Sequence, residues 1–400
     1  MADSIQRTDS IEGSGFPLGF KVAQGRGRPT VIGASTARDV FRVELRAMGG
    51  HQKECVVTEG ESGSAYRLVC DEGAGLKGSD LAPFPLGFYS AGLQADLANR
   101  FMAQAAAQGV KIDGFATELV SGYEFNGSFF RGDGKGSAHA PRVKFRVQCR
   151  ADSATVQAIA NAALDASPLI ALVRATPTNT FALYVNGKQQ AIAAPAPSHA
   201  KDAIDPLKTW TRVPSPLAGA KDISAMVAKL VAAPALDPKA PTFASTAADP
   251  NATIRRAIEI LGVSRWIDGV TEAETWASKP LGSRFGIKSD ERTNADQAPS
   301  GLAHAASGIA FCLMTQLLRY TEIHKMAVRA IRMVQYSPFE VVGAGASAKA
   351  IAHPLDTHVF LHGDDTDVRM EKLLVMAQNT CYLHALLHNP FEPVVEIELN

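Results

Sequence analysis

Residues 298–320 read APSGLAHAASGIAFCLMTQLLRY, and residues 82–104 read APFPLGFYSAGLQADLANRFMAQ. Both open on Ala-Pro, both run into an apolar helical pattern that ends near an arginine (Arg319 and Arg100), and they lie 216 residues apart. Further along, residues 155–172 (TVQAIANAALDASPLIAL) return as residues 369–386 (RMEKLLVMAQNTCYLHAL) at an offset of 214. The spacing between the two helices is nearly the same in each half, which predicts that the second half of the chain repeats the first. In this register Cys312 stands opposite Asp96 and Cys381 opposite Ser167. One half carries a thiol pair where the other has none, a pattern expected of an active half and a supporting half.

Outward from these helices, Phe41, Val43 and Leu45 alternate with Val40, Arg42, Glu44 and Arg46, the period of a half-buried strand. Strands are expected next at Glu54–Glu59 and Ala65–Cys70. A helix follows over Pro83–Gln108 with Gly109 as its stop. Strands Ile112–Tyr123 and Arg142–Arg150, a helix behind the Asp152-Ser153 cap running to Ser167-Pro168, and a strand Thr180–Asn186 complete the first unit. The second unit reads as a hairpin (Thr271–Ser278 and Ser283–Ser289), a helix Pro299–Tyr320, strands Ala327–Tyr336 and Thr357–Gly363, a helix Asp367–His388 and a strand Val394–Leu399. The expected division is a loose arm over 1–36, in which Arg26-Gly27-Arg28 is solvated, and units at 37–197 and 263–400. Between the units, 198–262 reads as a linker of amphipathic helices. One helix would carry Ile223, Met226, Val227, Leu230 and Val231 on one face, and another would span Thr253–Leu261. The fold class expected is α+β, with helices packed on antiparallel sheets.

Composition sets limits. With 400 residues at 46% hydrophobic content the chain can bury ordinary cores. Lys+Arg and Asp+Glu balance at 40 each, so no long-range field favours nucleic acid or an anionic membrane as a partner. No run approaches 18 apolar residues, the length a spanning helix needs, and the opening MADSIQRTDSIEGSG lacks the pattern of a secretory signal. Five cysteines without a CxxC step imply neither a disulfide scaffold nor a zinc site. Reduced thiols in a cytoplasmic location are expected, with no cofactor and no metal.

Two stretches carry a resemblance: SGIAFCLMTQLL around Cys312 and MAQNTCYLHALL around Cys381, 69 residues further on. Each half resembles the OsmC/Ohr family, whose first redox cysteine sits in the long central helix and whose second opens a Cys-Pro-Val step. The first half keeps the proline of that step (Ser167-Pro168-Leu169) and the second keeps the cysteine (Cys381-Tyr382-Leu383). The resemblance implies a fused pseudo-dimer of two OsmC-like units around two central helices, able to associate further as a homo-oligomer. It implies a thiol-dependent peroxidase in which Cys312 attacks a small apolar organic hydroperoxide, Cys381 resolves the product, and an external dithiol reduces the disulfide. The family also supplies an arginine from a hairpin turn and a glutamate about ten residues before the first cysteine. Here the hairpin candidates are His51, after Met48-Gly49-Gly50, and Arg284, after Gly282-Ser283. Leu302 stands at the glutamate position and Tyr382 at the proline position, both departures from the pattern.

The chemical requirement is independent of any family. A thiol near pKa ~8.5 is mostly protonated at neutral pH and must become a thiolate to react. Cys312 lies thirteen residues past Pro299, too far into its helix for the dipole to act on it, so a nearby cation is needed. A second constellation competes. Cys381, His384 and His388 fall at i, i+3 and i+7, one stripe of a helix, where a histidine could take the cysteine proton in a hydrolase or lyase. A third reading is a binding protein that uses an apolar cleft between the halves. Cys55, Cys70 and Cys149 sit on expected strands with no partner pattern.

Overall fold

The computed structural model describes residues 10–29, 38–212, 214–217, 226–234, 251, 253–293 and 297–400. The first strands are β1 (Gly19–Ala23), β2 (Asp39–Ala47), β3 (Lys53–Thr58) and β4 (Ala65–Cys70). Along β2, Phe41, Val43 and Leu45 turn inward while Val40 and Arg42 face out, as the alternation requires. Helix α1 (Pro85–Ala107) starts with proline in its first turn, where no N–H is missed, and ends at Gly109 in the left-handed conformation, φ 68°. Then come β5 (Ile112–Gly127), β6 (Arg142–Cys149), α2 (Ser153–Asp165), α3 (Pro168–Ala175) and β7 (Thr180–Val185). The Asp152 carboxylate caps α2 by accepting from Thr155 N–H.

The later part comprises β8 (Val227–Val231), β9 (Ile254–Ile267), β10 (Val270–Lys279), β11 (Arg284–Asp290), α4 (Gly301–Ile323), β12 (Val328–Val342), β13 (Asp356–Gly363), α5 (Asp367–Thr380), α6 (Tyr382–Leu386) and β14 (Val394–Leu399). Both helices expected within 198–262 are strands instead. Val227, Leu230 and Val231 lie in β8, an edge strand paired with β11, while Ile223 falls outside the described residues. Residues 254–261 begin the 14-residue β9, which pairs with β5 on one side and β10 on the other. Ile254, Ile258 and Ile260 fit a helical face and a strand face equally well by spacing, and the ladders to β5 and β10 decide it. The helix expected over Asp367–His388 breaks at Cys381, whose backbone is extended (φ −72°, ψ 115°). The break between α2 and α3 falls at Ser167 with nearly the same dihedrals (φ −85°, ψ 115°).

The chain is mixed α/β, built on two predominantly antiparallel sheets. Leaving aside the short strands Lys135–Ala138, Lys188–Gln190 and Lys349–Ile351, one runs β1-β4-β3-β2-β12-β13-β7 and the other β8-β11-β10-β9-β5-β6-β14. Adding or subtracting seven converts one order into the other, strand by strand. Among the described strands one pair in each sheet is parallel, β13 with β7 and β6 with β14; Lys188–Gln190 then extends the first sheet antiparallel beyond β7. Each sheet joins strands from both ends of the chain, at β2–β12 in one and β5–β9 in the other.

Helix α4 lies on the first sheet, α1 on the second, and the two helices pack against each other between them. Helix α4 is apolar and long enough to cross a membrane, yet its apolar window is wholly buried inside the protein. The helix crossing is close because it is made at glycine. A Cβ on Gly92 would lie 2.5 Å from Gly301 O and 2.6 Å from Ala305 N; one on Gly308, 216 residues on, would lie 2.7 Å from Tyr89 N. Backbone cannot step aside cheaply, so Gly92→Ala should destabilise the protein by about 1–3 kcal/mol through overpacking, measured as a lowered urea midpoint at unchanged slope. An unchanged midpoint would show that the helices can separate freely.

The arm is not loose where it is described. Residues 19–23 form β1, and Arg28 is 1% exposed, against the expectation of a solvated basic stretch. Its guanidinium donates to Glu59 Oε2 (2.6 Å), Tyr66 Oη (2.7 Å) and Ala298 O (2.7 Å). Residues 198–212, expected as linker, lie over the outer face of the first sheet. Asp205 pairs with Arg332 and His362 there, and Trp210 packs on Val56 and Ala65.

Candidate functional site

A cavity of about 340 Å³ opens where the first turn of α1, the turn after β4, the β10–β11 hairpin, β9 and α4 meet. Both ends of the chain therefore contribute to it. Phe84, Leu86, Ile258, Ile260 and Leu281 give it an apolar wall, and Glu72, Arg256, Cys312, Gln316, Arg319 and Tyr382 a polar one.

Cys312 lies midway along α4, 2% exposed, with its surface on this cavity. Cys381 is 0% exposed, sits at the α5–α6 break, is not part of the lining, and interacts electrostatically with Cys312. The helix break explains the placement: the extended backbone at Cys381 turns its side chain toward α4. All five cysteines are free thiols. Burial, followed by the interaction with Cys312, pushes the Cys381 thiol well above its ordinary value, so Cys381 keeps its proton. His384 Nδ1 is 3.1 Å from Cys381 Sγ, and burial pushes this imidazole down to about 4, so it is neutral. His388 is exposed, because α6 ends at Leu386 and the stripe that the spacing suggested stops before it.

The cations are not those expected. Arg284 is partly exposed on β11, 3.3 Å from Glu274 and with its guanidinium 4.1 Å above the Trp276 ring; its neighbour Ser283 is the residue that lines the cavity. His51 is buried behind the cavity, 3.4 Å from Glu322 and within electrostatic reach of Arg319, Lys53 and Glu72, but it is not in the lining. Burial lowers its pKa against the hydrogen bond to Glu322, which raises it. The arginines that do line the cavity are Arg256 on β9 and Arg319, two turns beyond Cys312 on α4. Burial pushes Arg256 down to about 10. Burial pushes the Tyr382 phenol up to about 12, opposed by both arginines. Glu72 is buried, and burial alone would raise it. Lys53 (3.1 Å), the Thr315 hydroxyl (2.5 Å) and Arg319 outweigh that and hold the carboxyl below its ordinary range. The sequence held one signal for Glu72: Asp71-Glu72 at the end of β4 is matched by Asp290-Glu291 at the end of β11.

The positions aligned with Cys312 and Cys381 hold Asp96 and Ser167, not thiols. The Ser167 hydroxyl donates to Asp96 Oδ2 at 2.5 Å, and Arg100 Nε donates to Asp96 Oδ1 at 3.0 Å, the ion pair its i,i+4 spacing allows. Arg28 lies within electrostatic reach of Glu291, the residue matched with Glu72. Gly25 and Arg26 N–H groups bond to Ser64 and Ser62 of the β3–β4 hairpin, and Arg28 N–H bonds to Thr293. Leu302 is buried in the core.

No family model and no curated protein matches the chain. Among solved structures, an OsmC-like hydroperoxide resistance protein from Jannaschia sp. is similar to part of it, with 22% identity, a TM-score of 0.21, and coverage of 31% of this chain and 81% of its own.

Proposed function

We propose that this chain is two fused OsmC/Ohr-like units that reduce an apolar organic hydroperoxide through Cys312 and Cys381. The observation that carries the reading is the order of the two sulfurs: Cys312 lines an apolar cavity, and Cys381 is fully buried outside the lining, within electrostatic reach of Cys312. The matching strand orders and the equivalent breaks at Ser167 and Cys381 support the fusion. In this mechanism the Cys312 thiolate attacks the terminal peroxide oxygen, the O–O bond breaks, and the alcohol leaves with a proton. Cys381 then displaces hydroxide from the Cys312 sulfenic acid, and an external dithiol reduces the disulfide. Arg256 and Arg319 take the cationic role that the resemblance implies for Arg284 or His51, and Glu72, from the other half, takes that of the absent glutamate.

The test is mass spectrometry after one equivalent of cumene hydroperoxide. The expected result is loss of both thiols and a peptide crosslinked through Cys312 and Cys381; an unmodified Cys312 would sink the proposal. The 3.1 Å contact of His384 with Cys381 favours a second reading, a thiol hydrolase. That reading requires an ester to reach Cys381 past Cys312, and it predicts an acylated Cys381 with Cys312 untouched.

A further inference from the structure

Resting on the peroxidase reading, we infer that His384 is the base that takes the proton from Cys381 when the disulfide forms. The resolving step has a difficulty that the peroxide step lacks. Cys381 is buried and keeps its proton, yet only the thiolate is a competent nucleophile. Once Cys312 is a sulfenic acid its sulfur is the electrophile and cannot also be the base. His384 Nδ1, 3.1 Å from Cys381 Sγ, is in hydrogen-bond reach of that proton; burial makes the imidazole a weak base, so it holds the proton only until the leaving hydroxide takes it.

The other side of the ring argues for this role over a packing role. Nε2 of His384 is buried and has no hydrogen-bond partner among the described residues, while the ring packs on Phe181 with centroids 5.4 Å apart. With Nδ1 accepting the thiol proton, Nε2 carries the imidazole hydrogen into an environment that offers it nothing. A buried donor in that state is destabilising, and a residue kept for packing alone would better be phenylalanine or leucine.

The step balances without further reagents. The proton of Cys381 passes to His384 Nδ1, the sulfur electron pair forms the bond to Cys312 Sγ, and the S–O bond of the sulfenic acid breaks. Hydroxide leaves and takes the proton from His384 as water. The Cys312 sulfur is reduced and the Cys381 sulfur oxidised.

Rapid mixing with one equivalent of cumene hydroperoxide, quenched at intervals and read by mass spectrometry, separates sulfenic acid formation at Cys312 from disulfide formation. In His384→Phe the first step should stay within about twofold. The second should slow by about a hundredfold, the usual worth of a positioned base, and quicken about tenfold per pH unit as solvent hydroxide replaces it. His384→Asn, which keeps a polar contact but holds no base, should show the same delay if the phenylalanine variant does not fold. A disulfide step unchanged in rate in either variant overturns the assignment of His384 and leaves the peroxidase reading standing. Absence of any Cys312 sulfenic acid in the unsubstituted protein overturns that reading, and this inference with it.

Discussion

Cys312→Ser should reduce hydroperoxide turnover to the uncatalysed background, because a serine hydroxyl is not ionised near neutral pH and has no accessible oxidation at oxygen. Cys381→Ser should behave differently: one equivalent of alcohol is released, and Cys312 then remains a sulfenic acid that dimedone labels. The Asp96–Ser167 pair provides the control. Asp96→Ala and Ser167→Ala break a buried pair that is not part of the cavity lining, so they should lower stability while leaving turnover within about twofold. Stopped-flow consumption of cumene hydroperoxide with each variant checks all four. If Asp96→Ala stops the reaction and Cys312→Ser does not, the working half is the one taken here as support.

Arg28→Ala should destabilise the protein by about 3–5 kcal/mol. The guanidinium offsets Glu59, which lies at 2.6 Å, and Glu291, which is buried; alanine leaves both without it. The loss should depend on pH. Burial pushes the Glu291 carboxyl up to about 7 even with Arg28 acting against it. A carboxyl raised in the folded state lets the unfolded chain ionise first, so stability is full below the unfolded value near ~4.3 and declines as pH rises through the folded one. Without Arg28 that interval widens, and the deficit should be larger at pH 8 than at pH 5. Urea unfolding of both proteins at both pH values measures it; equal deficits would mean that Glu291 does not sense the arginine.

The parts of this fold legible in sequence were those whose signals are local. The apolar runs of α1 and α4, the Asp152 cap and the Gly109 stop each act within a few residues. Strand β9 was not legible because its isoleucines satisfy two periods, and its partner β5 lies more than a hundred residues earlier. The thiol pair followed from the offset between halves, but its surroundings did not. Arg256 sits in the strand misread as helix. Ser283 and Arg284 differ by one residue, and in a strand that decides which of them faces the cavity. Arg28 lies in a Gly- and Ser-rich stretch whose composition suggests solvent; what buries it is Glu59, 31 residues on, and the carbonyl of Ala298.

The seams β2–β12 and β5–β9 bear on how the site responds to dilution. The cavity takes Glu72 and Phe84 from one end of the chain and Arg256 and Cys312 from the other. In an assembly of two separate chains such a site exists only while the chains are associated, so its occupancy follows mass action and falls as protein becomes scarce. Carried on one polypeptide, the two contributions meet at an effective concentration set by the connection between them. The fraction of molecules with a complete site is then the same at nanomolar as at micromolar protein, and activity per molecule should not change with dilution.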